Sequence, residues 1–208
     1  MELVDLETWP RRDTFRFFSG LSWPFYSVTS TLDVGRYHAY VKAHGLSFYY
    51  GLIYLTTTVM DRLPDFLYKI RGGQIVRHGR LEPSFVTLDQ QTHQIKITNV
   101  PLTESLEDYC ARCRAAVEAQ TSPFPSGSDE ARDDLIYFSC TPWFSFTSLT
   151  NEMDDDPDDS IPRITWGKFE AREGRLLLPC SVQLNHRLLD GWHLGQLLTD
   201  LQKELDAF

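Results

Sequence analysis

From Ser27 to Asp33 polar and apolar side chains alternate as a half-buried strand requires, and Asp33 then stands where a helix cap is wanted. Two helical segments follow. The first spans Val34 to His44. The second, about Phe48 to Leu63, is apolar nearly all round, which predicts a helix enclosed by other elements instead of one lying on water. Gly45 separates the two, and Pro64 ends the second. Short strands are expected at Phe66 to Ile70, Ile75 to His78, Phe85 to Leu88 and Ile95 to Ile97, with Gly72-Gly73 turning the chain between the first pair. An amphipathic helix is expected from about Glu104 to Glu118, and turn formers crowd Thr121 to Glu130 into an exposed loop. Leu135 to Thr141 reads as a strand. Two long strands, about Arg163 to Ala171 and Arg175 to Leu184, meet at Glu173-Gly174, a dipeptide suited to a tight hairpin because glycine tolerates positive φ. The last element is a helix from about Trp192 to Ala207, with Leu194, Leu197, Leu198, Leu201 and Leu205 on one face.

Strands and helices mix here without βαβ alternation and without an internal repeat. That argues for an α+β fold with a mixed, largely antiparallel sheet packed by helices, and not for a doubly wound sheet. A chain of 208 residues is long enough to bury a core without disulfides or metal, so a single domain over 1–208 is expected. The formal charge of −9 argues against nucleic acid and against anionic membrane surfaces as partners, since both are bound by neutralising phosphates with Lys and Arg. Residues Met1 to Asp13 lack a basic region followed by an apolar run, and no segment approaches the roughly 20 apolar residues of a bilayer span, so a cytoplasmic protein is expected. Cys110 and Cys113 lie within one helical turn but have no second cysteine pair or histidine pair to complete four zinc ligands, and Cys140 and Cys180 sit in apolar strand-like runs. The expectation is packed thiols and no metal.

The chemistry concentrates in Asn185-His186-Arg187-Leu188-Leu189-Asp190-Gly191, between the last strand and the last helix. A histidine can act there as general base, because an unperturbed pKa near 6.5 leaves much of it neutral at pH 7. Taken alone, a His and an Asp four residues apart fit a surface ion pair equally well. The full run His186-Arg187-Leu188-Leu189-Asp190-Gly191-Trp192-His193, however, resembles the signature of chloramphenicol acetyltransferases and of the catalytic domains of dihydrolipoamide acyltransferases. Trp9-Pro10-Arg11-Arg12, Ser139-Cys140-Thr141-Pro142-Trp143 with Phe146, Ile164-Thr165-Trp166-Gly167-Lys168-Phe169 and Gly174-Arg175-Leu176-Leu177-Leu178-Pro179 resemble further segments of the former, in the same order along nearly the whole chain.

What the resemblance implies is the CoA-dependent acyltransferase fold, a two-layer sandwich, assembled as a homotrimer with active sites between subunits. Acetyl-CoA would be a co-substrate, with no permanently bound cofactor, and a small hydroxyl-bearing molecule the acceptor. His186 would be the base, with Nδ1–H bonded to its own carbonyl and Nε2 free to take the hydroxyl proton. Ser139 would donate to the tetrahedral oxyanion, and Thr165 would bind a water beside it. Asp190 would pair with Arg11 to hold the histidine loop in shape, and His193 would pack behind it. Lys168 is a candidate for the phosphates of CoA, although a surface lysine on a strand needs no such role. Phe18, Pro24, Tyr26, Ile95, Leu149 and Asn151 occupy the positions that face the antibiotic.

Two departures mark this chain. Asn185 stands where the family usually has a first histidine, and Gln90-Gln91-Thr92-His93-Gln94-Ile95 replaces a segment of the acceptor pocket, to which Asn151 also adds polarity. Beside this pocket runs Glu152 to Asp159, with Asp154, Asp155, Asp156, Asp158 and Asp159, which reads as a solvated loop; its field could also draw a cationic acceptor. The function expected is transfer of an acetyl group to chloramphenicol. The alternatives are the same transfer to another hydroxyl acceptor, or a binding protein of this fold that captures a small molecule without turnover.

Overall fold

The computed structural model describes residues 1–125 and 132–208. Its elements, in chain order, are β1 (Glu2–Leu3), α1 (Arg12–Phe18), β2 (Phe25–Asp33), α2 (Gly35–Ala43), α3 (Phe48–Asp61), a 3-10 turn (Pro64–Leu67), β3 (Tyr68–Arg71), β4 (Gln74–Arg77), β5 (Glu82–Leu88), β6 (Ile95–Asn99), α4 (Leu106–Ala119), β7 (Leu135–Cys140), β8 (Arg163–Trp166), β9 (Glu170–Arg172), β10 (Arg175–Asn185) and α5 (Gly191–Asp206). A seven-stranded sheet runs β2-β10-β8-β7-β5-β6, with β9 also paired to β10, and a three-stranded sheet runs β1-β4-β3. Among the described residues only β5 with β7 and β7 with β8 are parallel; the other pairs are antiparallel. Helices cover one face of the large sheet, α3 packing against α4, α5 and β5. The α+β, two-layer reading holds.

β10 explains this layering. Its alternate residues Leu178, Cys180, Val182 and Leu184 enter the hydrophobic core beneath the helices, together with Phe138, Ile164 and Trp166 of the neighbouring strands. Ser181, Gln183 and Asn185 point the other way and are also buried, which requires a second set of partners on the far face. α3 is enclosed as its apolar sequence predicts: Leu52, Ile53, Val59 and Met60 are all buried. Ser47 caps it by accepting from the Tyr50 N–H at 3.3 Å. α5 turns Leu194, Leu197, Leu201 and Leu205 inward, while Leu198 stays half-buried.

Two expectations need correction, and one element was not anticipated. Phe66 and Leu67 belong to a 3-10 turn behind Pro64, so the strand starts at Tyr68. The aromatic-rich N-terminal stretch contains a short helix, α1, which no capping side chain announces. The long strand over Arg163 to Ala171 is broken: β8 pairs Trp166 with Cys180 and β9 pairs Glu170 with Leu177, one residue out of step. The extra residue is a bulge. Pro179 offers no N–H to continue the ladder, and Gly167 sits so close to it that a Cβ there would lie 2.7 Å from Pro179 Cγ and 2.9 Å from Phe146 Cε1. The hairpin at Glu173 and Gly174 forms as expected, both residues having positive φ. The part of the expected loop Thr121 to Glu130 that begins at residue 126 lies outside the described residues. Among the described residues no helix is long and apolar enough to cross a membrane.

The cysteines are packed thiols. Cys110, Cys113 and Cys180 are buried, and burial pushes Cys113 and Cys180 up to about 12 and Cys140 up to about 11, which keeps all of them protonated at neutral pH.

Candidate active site

β10 ends at Asn185, and the next residues fold into a turn in which Leu188 N–H and Leu189 N–H both donate to the Asn185 carbonyl, at 3.2 and 3.1 Å. His186 projects from this turn. Its own N–H donates to the Pro24 carbonyl at 2.7 Å, tying it to the segment that enters β2. The imidazole stacks on Phe18, with ring centroids 4.1 Å apart and planes 15° from parallel, and leans on Tyr26 at 4.6 Å. Nδ1 is buried and has no partner of hydrogen-bonding geometry, so the bond to its own carbonyl implied by the resemblance is not formed here. Aromatic contacts hold this ring in place of that bond.

Gly191 starts α5 and Asp190 caps it, accepting from the Trp192 N–H at 3.0 Å, with His193 Nδ1 3.1 Å from the Asp190 N–H and 2.9 Å from its Oδ1. His193 is buried and closes this cap, packing behind the turn. Arg11 Nη1 donates to Asp190 Oδ2 at 3.0 Å. Burial by itself would raise the Asp190 carboxyl, but the Arg11 hydrogen bond, the neighbouring His193 and the Trp192 N–H together hold it below the usual carboxylate range. A depressed carboxylate contributes stability above its unfolded pKa and loses that contribution as pH falls through its folded pKa. Asp190→Asn is therefore expected to lower the Tm at neutral pH, and its melting curve should converge with that of the wild type in acid well below about 3.9. A gap that persists in acid would assign the effect to something other than the charge.

The other candidates gather elsewhere. Ser139 of β7 lies opposite Thr165 of β8, which lies opposite Ser181 of β10, so one row of hydroxyl residues crosses three strands on one face. Thr165 Oγ1 donates to Asn151 Oδ1 at 2.8 Å, while Ser181 Oγ donates to the Leu149 carbonyl at 2.7 Å. Ser139 and Asn151 line a cavity of about 700 Å³, together with Ile97, Asn99, Phe124, Tyr137, Glu152 and Asp154 among others. Asn151 Nδ2 and both amide atoms of Asn99 are buried there without partners. Polar groups of this kind are ready to bind a guest.

Within one chain these two groups do not meet. His186 lies five residues beyond Ser181 along β10, roughly 16 Å at the rise of an extended strand, and it is not part of the cavity wall.

Three comparisons bear on this arrangement. The sequence model of the chloramphenicol acetyltransferase family matches residues 1–202. This chain belongs to that family. It is an acyltransferase. It is 27% identical over 199 residues to a chloramphenicol acetyltransferase of Bacillus pumilus, covering 94% of this chain and 90% of that protein, and 25% identical over 206 residues to chloramphenicol acetyltransferase 2 of Haemophilus influenzae, covering 98% and 96%. A solved chloramphenicol acetyltransferase superposes with a TM-score of 0.88 at 25% identity, covering 98% of this chain and 99% of that one. An Azotobacter vinelandii dihydrolipoamide acetyltransferase, 16% identical over 93% of this chain and 85% of that one with a TM-score of 0.68, shares the fold.

Against the chloramphenicol acetyltransferase positions, Phe18, Pro24 and Tyr26 fall beside His186, while Asn151 falls in the cavity. Leu149 is bound through its carbonyl and is half-buried. Ile95 stands 46% exposed at the start of β6, and the cavity is lined instead by Ile97 and Asn99, which share its face by strand alternation. Lys168 is exposed in the bulge between β8 and β9, not on a strand, with its N–H donating to the Phe144 carbonyl at 2.9 Å. Sequence reading missed Ile97, Asn99 and Phe124; the signal for the first two was available in the period-two continuation of Ile95. The acidic run is solvated only in part. Glu152 and Asp154 to Asp156 are exposed, but Asp158 pairs with Arg187 at 2.6 Å and Asp159 with Arg163 at 2.7 Å.

Proposed function

We propose that this protein transfers the acetyl group of acetyl-CoA to a hydroxyl of chloramphenicol, with His186 as general base, in a homotrimer whose sites lie between copies. The observation that carries the reading is the His186 turn: a ring fixed by Phe18 and Tyr26, with the turn closed behind it by the Arg11–Asp190 pair. Nδ1 is enclosed, so Nε2 is the nitrogen that takes the proton. The oxygen so freed attacks the thioester carbon, and the Ser139 hydroxyl donates to the oxyanion that forms. On collapse of this intermediate the CoA thiolate leaves, and the imidazolium returns the proton to it. Thr165, whose hydroxyl proton is engaged by Asn151, retains acceptor capacity for a water beside the intermediate. Lys168 is exposed and is free to meet the phosphates of CoA.

The trimer reading is supported by the separation of His186 from the Ser139 cavity, since a complete set of groups then requires a second copy. Exposed Phe17, Trp23 and Val28 on and before the edge strand β2 supply an apolar surface for it. No resident cofactor enters the proposed reaction, in which acetyl-CoA is a co-substrate. Acceptors other than chloramphenicol are the second reading, favoured by the unpartnered amides of Asn99 and Asn151 and the carboxylates of Glu152 and Asp154 on the cavity wall.

Free thiol released from acetyl-CoA by the purified protein tests both. Chloramphenicol-dependent release is the expected result. Release only with a different hydroxyl compound would keep the chemistry and discard the antibiotic, and ligand binding without any release would favour a capture protein.

A further inference from the structure

The residues flanking the base are not solvent-facing punctuation. Arg187 is 6% exposed and Asn185 is 4% exposed. Asn185 Nδ2 donates to the carbonyls of Pro157 and Asp159, each at 2.9 Å, while its Oδ1 accepts from the Arg187 N–H at 3.0 Å. Arg187 spreads its guanidinium over two segments of the chain. Nε donates to Ser19 Oγ at 2.9 Å, Nη1 donates to the Pro157 carbonyl at 3.1 Å and to Asp158 Oδ1 at 2.6 Å, and Cζ lies over the Phe15 ring, 4.5 Å from its centroid. Asp158 is held in turn by the Gly73 N–H at 2.6 Å.

Ser19 and Phe15 both belong to the segment whose Phe18 ring stacks on His186. The 157–159 segment continues into the loop whose Asn151, Glu152 and Asp154 line the cavity, and Gln183, two residues before Asn185, accepts from the Asn151 N–H at 2.9 Å. The grips therefore come from both sides of His186. One reaches the helix that carries its stacking partner, and the other reaches the loop that forms a wall of the acceptor cavity.

We infer that Arg187 and Asn185 are positioning residues, which clamp the base-bearing turn between α1 and the 157–159 segment. The acidic run is thus in part an anchor: Asp158 neutralises an arginine that would otherwise be buried beside the base without a counter-charge. This replaces, by contacts from outside the ring, the orientation that an Nδ1 hydrogen bond would have given. A guanidinium is required because the single nitrogen of a lysine cannot reach Ser19, Pro157 and Asp158 together from over the Phe15 ring.

The inference rests on His186 being the base, and its test is arranged so that the two can fail separately. Arg187→Met and Arg187→Lys are compared with the wild type in acetyl transfer, thermal melting and the NMR shift of the His186 ring protons, assigned by their loss in His186→Ala. The stack on Phe18 shields those protons, so loss of the clamp moves them. For Arg187→Met, kcat should fall about 10- to 100-fold with the KM for acetyl-CoA unchanged, the size expected for a misplaced catalytic group. Arg187→Lys should recover little. A variant that melts earlier yet, where folded, turns over at the wild-type rate with unmoved His186 shifts would overturn the inference and leave Arg187 a purely structural residue. If Arg187→Met does not fold, Asp158→Asn reads the same contact from its more exposed side, and an unchanged kcat there is equally fatal. If the wild type transfers no acyl group, the proposed function falls, while the His186 shift in Arg187→Lys still decides whether the clamp positions the ring.

Discussion

His186→Ala is expected to cut acceptor-dependent release of CoA thiol by about 10²- to 10⁴-fold, the usual contribution of a positioned general base. The fold should survive. The lost contacts are a stack on Phe18 and a tilted contact with Tyr26, and such aromatic pairs are worth about 0.5–1.5 kcal/mol each beyond their buried area. Thermal melting should accordingly fall by only a few degrees, so that activity and stability separate. The distance along β10 adds a stricter consequence. If the sites lie between copies as proposed, His186→Ala and Ser139→Ala copies, each poorly active alone, should regain activity when co-assembled, because some sites then receive an intact base from one copy and an intact hydroxyl from another. Absence of complementation in verified mixed assemblies would overturn the shared-site reading.

Gly167→Val is expected to lower stability by about 3 kcal/mol, near the upper end for overpacking. Melting should fall by roughly 6–12 °C for a domain of this size. A Cβ at Gly167 would lie 2.7 Å from Pro179 Cγ and within 2.9 and 3.0 Å of two atoms of the Phe146 ring. Neither neighbour is the free end of a flexible chain. Relief must come from the backbone of the bulge, and that bulge also sets where Lys168 emerges. The substitution should therefore raise the KM for acetyl-CoA as well as lowering Tm, if Lys168 meets the CoA phosphates. A valine tolerated without loss of Tm would mean that the β8–β10 contact is looser than these distances indicate. A lower Tm with unchanged KM would remove Lys168 from the CoA site.

Much of this was legible in the chain because its elements are locally encoded. The alternation around Val28, the all-round apolar face of α3, the Glu173-Gly174 dipeptide and the leucine stripe of α5 each act within a few residues, and each formed as read. The row Ser139–Thr165 and the Arg11–Asp190 pair were readable only through the family resemblance, since their partners are distant in sequence. α1 escaped because it has seven residues and no capping side chain, so it is held by Trp9 and Phe15 packing into the core and not by its own helical signals.

The sequence by itself determined the fold class and the order of most elements, and through the family resemblance it singled out His186, because hydrophobic period, turn chemistry and a compact motif all act locally. Tertiary structure alone decided what surrounds that histidine. Lys69 gave no sign of being fully buried in β3, where burial pushes its ammonium down to about 8, and the acidic run gave no sign that its last two carboxylates face Arg187 and Arg163. Buried charges are matched across the sheet and its loops, and such pairings are set by which strands become neighbours, a property of the folded chain that no short stretch of residues contains.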